Sequence, residues 1–357
     1  MKRIAILAAC AALWAGQALA YPVGERHLQA TEPAAALRDA QHRDTVRITV
    51  WYPAAPATAE QDILIGAPDK PLFYVGEAGP DAAFADERRR PVILLSHGFG
   101  GSARMMGWFG TVLAEQGYMV IAVDHPGNNG LDPMTVAGAI LFWERPGDLK
   151  VALARVKADP DLGRRLDMLH VGVAGFSAGG FTSLVAAGAR VDIARFKRFC
   201  TEHPQDGVCA PQKEFTVTME QAEALLASPD AAPAVARAGE DLSIPEVRAA
   251  FVMAPAIVQA LDPRSLQSLR TPVSIILGDS DPVAPPNTNG SQAARAIPGA
   301  RMKVLAGVGH YDFLSQCTPA GMALVPICPT DVPRGETHHA ALEAALQFFA
   351  QTLGGAP

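Results

Sequence analysis

The sequence predicts an α/β chain: a mostly parallel central sheet with helices on both faces and an inserted, lid-like segment. Three observations carry this. Short apolar runs free of charged residues recur at Pro91–Ser96 (PVILLS), Tyr118–Val123 (YMVIAV) and Val273–Leu277 (VSIIL), as strands covered on both faces require. Segments of helical period lie between such runs, at Met105–Gln116, Gly179–Ala189 and His338–Leu353, and strands alternating with helices are the signature of crossover units. The chain has 357 residues, of which 49% are hydrophobic and 18% charged, enough to bury a full core.

The elements follow in order. Lys2 and Arg3, the apolar stretch Ile4–Trp14 and the small-x-small site Ala18-Leu19-Ala20 form an export signal over residues 1–20, so the mature domain should span 21–357 and begin at Tyr21. Leu7-Ala8-Ala9-Cys10 imitates a lipoprotein box but leaves almost no apolar region before it. The apolar stretch is too short to span a bilayer. Thr45–Tyr52 (TVRITVWY) alternates and is closed by Pro53, which marks an early strand. His170–Ala174, Val247–Met253 and Met302–Leu305 complete the expected strands. The last helix should start near Thr337 as its cap, leaving His338 and His339 solvated at its first turn. Residues 190–246 contain no strand run, many Pro, Asp and charged residues, and one short helical pattern at Met219–Leu226. A connection of that length is a functional segment or subdomain, read here as an insertion over the sheet.

Net charge is −6, and loss of Lys2 and Arg3 would make the chain more acidic still. This argues against nucleic acid as a partner and against electrostatic docking on anionic lipid. Export places the remaining cysteines, Cys200, Cys209, Cys317 and Cys328, in an oxidising compartment. Of the three possible pairings, the local ones, Cys200–Cys209 and Cys317–Cys328, each close a Pro- and Gly-containing loop. Four free thiols are the alternative. No C-x-x-C spacing and no other metal constellation occurs.

Gly175-Phe176-Ser177-Ala178-Gly179 matches G-x-S-x-G, directly after a strand and before a helix. That setting is the one the nucleophile elbow of the α/β-hydrolase fold requires. A hydroxyl attacks only when a base removes its proton, and the base must be held in one tautomer. In this fold the partners come in the order Ser, acid, His. Val273–Asp281 is a strand ending in Gly278 and two acids, and Met302–His310 is a strand followed by Gly309-His310. Both side chains would sit at carboxyl ends of strands, the edge that carries Ser177. Asp281, stiffened by Pro282 and Pro285, is the expected acid, with Asp279 competing. Asp312 is too near His310 in sequence to reach behind its ring. The developing oxyanion needs backbone donors. Ala178, which follows the nucleophile, and Phe99 in His97-Gly98-Phe99-Gly100-Gly101 are the expected ones. A phosphate cradle is the competing reading of that loop, but no Lys-Ser/Thr pair follows it.

The chain resembles the predicted dienelactone hydrolase group, which overlaps in pattern with platelet-activating-factor acetylhydrolases. The matching pieces are Tyr21-Pro22-Val23-Gly24, Val50-Trp51-Tyr52-Pro53, Ser96 to Gly101, Asp124-His125-Pro126-Gly127, Gly175 to Gly180, Gly278 to Asp281, and Gly309-His310. The resemblance implies an ester hydrolase with a Ser177–Asp281–His310 triad, Asp281 as the acid, and Phe99 and Ala178 as oxyanion donors. It departs at two places: Ser177 stands where true dienelactone hydrolases use Cys, and Phe176 where acetylhydrolases often carry His.

The expected reaction is cleavage of a short-chain, small-molecule carboxylic ester through an acyl-enzyme, without a cofactor. An amidase or peptidase on the same triad, or a catalytically silent binding protein of this fold, are the alternatives.

Overall fold

The computed structural model describes residues 20–354, so the expected export signal, apart from Ala20, lies outside the described residues. In chain order the strands are β1 (Val23–Thr31), β2 (Thr45–Pro53), β3 (Gln61–Ala67), β4 (Lys70–Pro80), β5 (Arg90–Ser96), β6 (Met119–Asp124), β7 (Leu166–Phe176), β8 (Val247–Met253), β9 (Val273–Gly278), β10 (Arg301–Leu305) and β11 (Gln316–Cys317). They form one sheet in the order β10-β9-β8-β7-β5-β6-β2-β1-β4-β11, with β3 beside β4. From β10 to β6 every pairing is parallel. Strand β2 joins β6 antiparallel, and β1 joins β2 likewise.

Alternation along the strands builds two cores. On β5, Val92 and Leu94 point to one face and Ile93 and Leu95 to the other, all buried. The first face is covered by helices Arg145–Lys157 and Ala178–Ala186 through Leu149, Leu153, Phe181 and Leu184. The second is covered by helices Gly107–Glu115 and Arg334–Thr352 through Phe109, Leu113, Phe348 and Phe349. Each such side chain contributes about 1.5–3 kcal/mol by leaving water. The chain leaves β5 for β6 on one side and later returns to β7 on the other. That reversal is a topological switch point at the carboxyl ends of β5 and β7, the place where ligands of open α/β sheets bind.

All seven expected strands form. The last helix differs from expectation. It starts at Arg334 after Pro333, so Thr337 is buried inside it with its hydroxyl unpartnered rather than capping it. His338 is buried instead of solvated: its ring stacks on Trp108 with centroids 3.8 Å apart, and its Nε2–H donates to the Leu314 carbonyl at 2.8 Å. His339 is exposed as expected. Residues 190–246 fold into three helices, Ile193–Glu202, Met219–Leu226 and Ala232–Arg237. The segment is tied to the sheet layer by Trp143 Nε1 donating to the Ala234 carbonyl at 2.9 Å and Ile244 N donating to the Ala186 carbonyl at 2.9 Å. Cys200 is bonded to Cys209 and Cys317 to Cys328. No helix among the described residues is long and apolar enough to cross a membrane.

Candidate active site

Ser177 occupies the turn between β7 and helix Ala178–Ala186, with φ 56° and ψ −119°. A residue with a side chain is strained there and persists only where its surroundings over-determine it. Two glycines make the turn possible. A Cβ on Gly175 would lie 2.2 Å from the Gly179 carbonyl oxygen, and one on Gly179 would lie 2.0 Å from that of Ser96. The Ser177 N–H donates to the Met253 carbonyl at 2.9 Å, and its own carbonyl accepts from Gly180 at 2.8 Å and from Ala256 at 3.1 Å.

His310 follows β10 and opens a short 3-10 turn, His310–Phe313. Its Nε2 lies 2.8 Å from Ser177 Oγ and its Nδ1 lies 2.6 Å from Asp281 Oδ2. A carboxylate can only accept, so Nδ1 carries the proton and Nε2 accepts from the Ser177 hydroxyl. The second oxygen of Asp281 accepts from the N–H groups of Val283 and Ala284, both at 2.8 Å. Ser177, Asp281 and His310 are all buried, and the Phe176 ring stands 4.8 Å from that of His310. Asp279, the competing acid, is exposed and accepts from Gly307 N at 2.7 Å. Asp312 accepts from Gly309 N at 2.7 Å, and burial raises its carboxyl above the usual range.

The loop after β5 runs against Ser177. A Cβ on Gly98 would be 3.0 Å from the Phe176 ring and 3.3 Å from Ser177 Cβ. Gly100 N donates to Asn128 Oδ1 at 2.9 Å and Gly101 N to the Gly98 carbonyl at 3.2 Å. Among the described residues the N–H groups of Phe99 and Ala178 have no such partner. Residues 190–246 reach all three loops of the site. Glu214 packs on Gly100 and accepts from the Tyr311 hydroxyl at 3.1 Å. That hydroxyl is raised above its ordinary range by burial and then by the Glu214 charge. Asp206 accepts from Thr288 Oγ1 at 2.8 Å, and Gly207 lies against the carbonyls of Pro282 and Val283. Among the described residues no three His, Cys, Asp or Glu side chains cluster as metal ligands do.

Behind this site lies a second relay that sequence reasoning missed. The Ser96 hydroxyl donates to His125 Nε2 at 2.8 Å, and His125 Nδ1–H donates to Asp148 Oδ2 at 2.8 Å. Arg38 donates twice to Asp148, at 2.7 and 2.9 Å. Burial alone would raise the Asp148 carboxyl, but the Arg38 charge and hydrogen bonds bring it down to about 2. Burial, then the Arg145 charge, lowers His125 to about 3, so its imidazole is neutral. The three side chains come from β5, the loop after β6 and helix Arg145–Lys157. Only a tertiary fold joins them, and no local pattern announces it.

Comparison with known proteins bears on the family and the fold. Residues 76–134 match the family model described as platelet-activating factor acetylhydrolase, isoform II. No curated protein matches the chain. Among solved structures, the ferulic acid esterase from Streptomyces cinnamoneus superposes with a TM-score of 0.62 at 20% identity, covering 96% of this chain and 93% of its own. That likeness is one of fold. The chain has an α/β-hydrolase fold and is similar over residues 76–134 to the isoform II platelet-activating factor acetylhydrolases.

Proposed function

We propose that the protein is a carboxylic ester hydrolase in which Ser177 is the nucleophile, His310 the base and Asp281 the group that orients it. The observation that carries this is the continuous relay from Ser177 Oγ through His310 to Asp281, at 2.8 and 2.6 Å, beside two backbone N–H groups without partners. Ser177 Oγ attacks the ester carbonyl carbon while its proton passes to His310 Nε2. The carbonyl electron pair moves onto oxygen, where Phe99 and Ala178 donate to it. Collapse expels the alcohol, which takes the proton from His310. A water deprotonated by His310 then releases the acid. Asp281 stabilises the imidazolium and stays ionised.

The substrate reading is a short acyl ester. Ser177 is only 5% exposed, and Glu214 sits against the oxyanion loop at Gly100. Its carboxylate, held at the hydroxyl of Tyr311 beside His310, offers a long alkyl chain nothing to bury itself against. An export signal over residues 1–20 and a periplasmic or secreted location belong to the same proposal, supported by the two bonded cysteine pairs. Residues 190–246 are proposed as an insertion on the hydrolase domain.

The test is covalent labelling of Ser177 by a fluorophosphonate, together with hydrolysis across a panel of esters, amides and lactones. Ser177→Ala should lose labelling and about six orders of magnitude in kcat, with folding intact. A variant that keeps more than about a hundredth of the wild-type rate would transfer the chemistry to another residue. A panel led by amides would move the assignment to an amidase.

A further inference from the structure

The buried relay behind the active site is the same constellation of side chains as the proposed triad, yet Ser96, His125 and Asp148 are each 0% exposed. No ester reaches them, so their part must be played through what they touch. The His125 backbone N–H donates to His97 Nε2 at 3.1 Å. That hydrogen bond makes Nε2 an acceptor and leaves the His97 ring proton on Nδ1, which donates to the Gly98 carbonyl at 2.6 Å. The Gly98 carbonyl and the Phe99 N–H belong to one planar peptide. Holding the oxygen therefore holds the direction of the N–H, and a hydrogen bond accepted at the oxygen polarises the N–H.

Arg145 acts on the preceding peptide. Its Nη2 donates to the His97 carbonyl and lies 3.4 Å from Ser96 Oγ. The guanidinium is buried, and its Nε and Nη1 have no partner. A buried charge served by so few acceptors is costly, and burial lowers Arg145 to about 9. A core that needed only to be filled would hold an apolar side chain here.

We propose that Ser96, His125, Asp148 and Arg145 are positioning residues that aim the Phe99 N–H at the oxyanion, acting through His97 and the Gly98 carbonyl. This rests on the reading of Ser177, His310 and Phe99 given above. Asp148, clamped by Arg38, fixes the His125 ring. Ser96, at the last residue of β5, ties that ring to the strand from which the oxyanion loop departs.

The test compares Ser96→Ala, Arg145→Met and Arg145→Lys with the wild-type protein. Active sites are counted by fluorophosphonate titration, kcat and KM are measured on p-nitrophenyl acetate, and affinity is measured for a trifluoromethyl ketone. Ser177 adds to that ketone, its proton passes to His310, and the carbonyl electron pair becomes an oxyanion in the same donor site. Removing one oxyanion donor outright lowers kcat by about 100- to 1,000-fold, so misaligning one should cost about 10- to 100-fold. The expected result is that loss in Ser96→Ala and Arg145→Met, with KM within about twofold, ketone affinity reduced by the same factor as kcat/KM, and partial recovery in Arg145→Lys. If Arg145→Met does not fold, Ser96→Ala, which deletes one atom, decides. A purely structural role would lower the melting temperature while kcat per titrated site and ketone affinity stayed within about twofold of wild type, and that result overturns the proposal. Loss of kcat with unchanged ketone affinity overturns it too. Wild-type protein that the fluorophosphonate does not label on Ser177 overturns instead the hydrolase reading on which it stands.

Discussion

Acid should destabilise this protein in part through His338, a buried residue outside the proposed triad. The ring is 6% exposed, stacked on Trp108 and bonded through Nε2–H to the Leu314 carbonyl. Burial lowers its folded pKa to about 4, against about 6.5 in an unfolded chain. The sign follows from linkage. Between those values the unfolded chain binds the proton and the folded one does not, so stability rises with pH across the window. Its contribution is fully present above about pH 6.5, is lost at up to about 1.4 kcal/mol per pH unit below that, and is spent near pH 4, for a total on the order of 3 kcal/mol. His338→Gln keeps a donor for Leu314 and cannot titrate. Urea unfolding of both proteins from about pH 7.5 to about pH 4.5 reads the difference. His97 and His125 titrate alike in the two proteins and cancel. The variant should be the less stable by about 1 kcal/mol at the alkaline end, from loss of the stack, and the more stable at the acid end. A gap between the two that stays constant with pH would refute the reasoning.

Three further outcomes are expected. Gly179→Ala places a Cβ 2.0 Å from the Ser96 oxygen, 2.6 Å from the Ser96 carbonyl carbon and 2.8 Å from the His97 oxygen. These are all backbone atoms, so it should cost about 1–3 kcal/mol or more in a denaturation curve and lower kcat by moving the loop that carries Phe99, the proposed oxyanion donor; wild-type kcat would count against the close approach. Breaking either cysteine pair, which closes a loop of sequence separation 9 or 11, should lose about 2–3 kcal/mol; non-reducing peptide mapping that returned crossed pairs would remove the basis for that figure. In a p-nitrophenyl ester series below micelle-forming concentrations, kcat/KM should peak between acetate and hexanoate, whereas a maximum at about twelve carbons or beyond would identify a long apolar groove.

The parts of the molecule that the sequence revealed are those whose environment is uniform. Strands β5, β6 and β9 are covered on both faces, so their central residues are apolar apart from Ser274, and the seven expected strands form. The Ser177 turn was readable because only glycine fits beside it. Strand β1 was not expected, because Gly24, Glu25, Arg26 and His27 break any apolar pattern; Glu25 is buried through Trp51 Nε1 and Arg104, partners distant in sequence. Helix Arg145–Lys157 was hidden for a related reason. Its first turn holds Pro146 and Gly147, and Arg145 and Asp148 face inward where the periodicity asks for apolar residues. His338 was misplaced because Trp108, against which it stacks, lies on a helix far away in the chain. In each case a polar side chain was bonded to a tertiary partner, and a linear pattern carries no trace of that partner.

The two relays also give the protein an internal control for what makes a serine reactive. Ser177 and Ser96 each lie 2.8 Å from an imidazole Nε2, and each imidazole is held by an aspartate through Nδ1. Geometric template matching would score them as equals. They differ in surroundings: Ser177 is 5% exposed on a strained turn beside unpartnered N–H groups, and Ser96 is 0% exposed at the end of a strand. An electrophilic probe applied to the folded chain should therefore mark one serine and spare the other, which separates the share of reactivity that comes from a Ser–His–Asp relay from the share that comes from access and the proposed oxyanion donors.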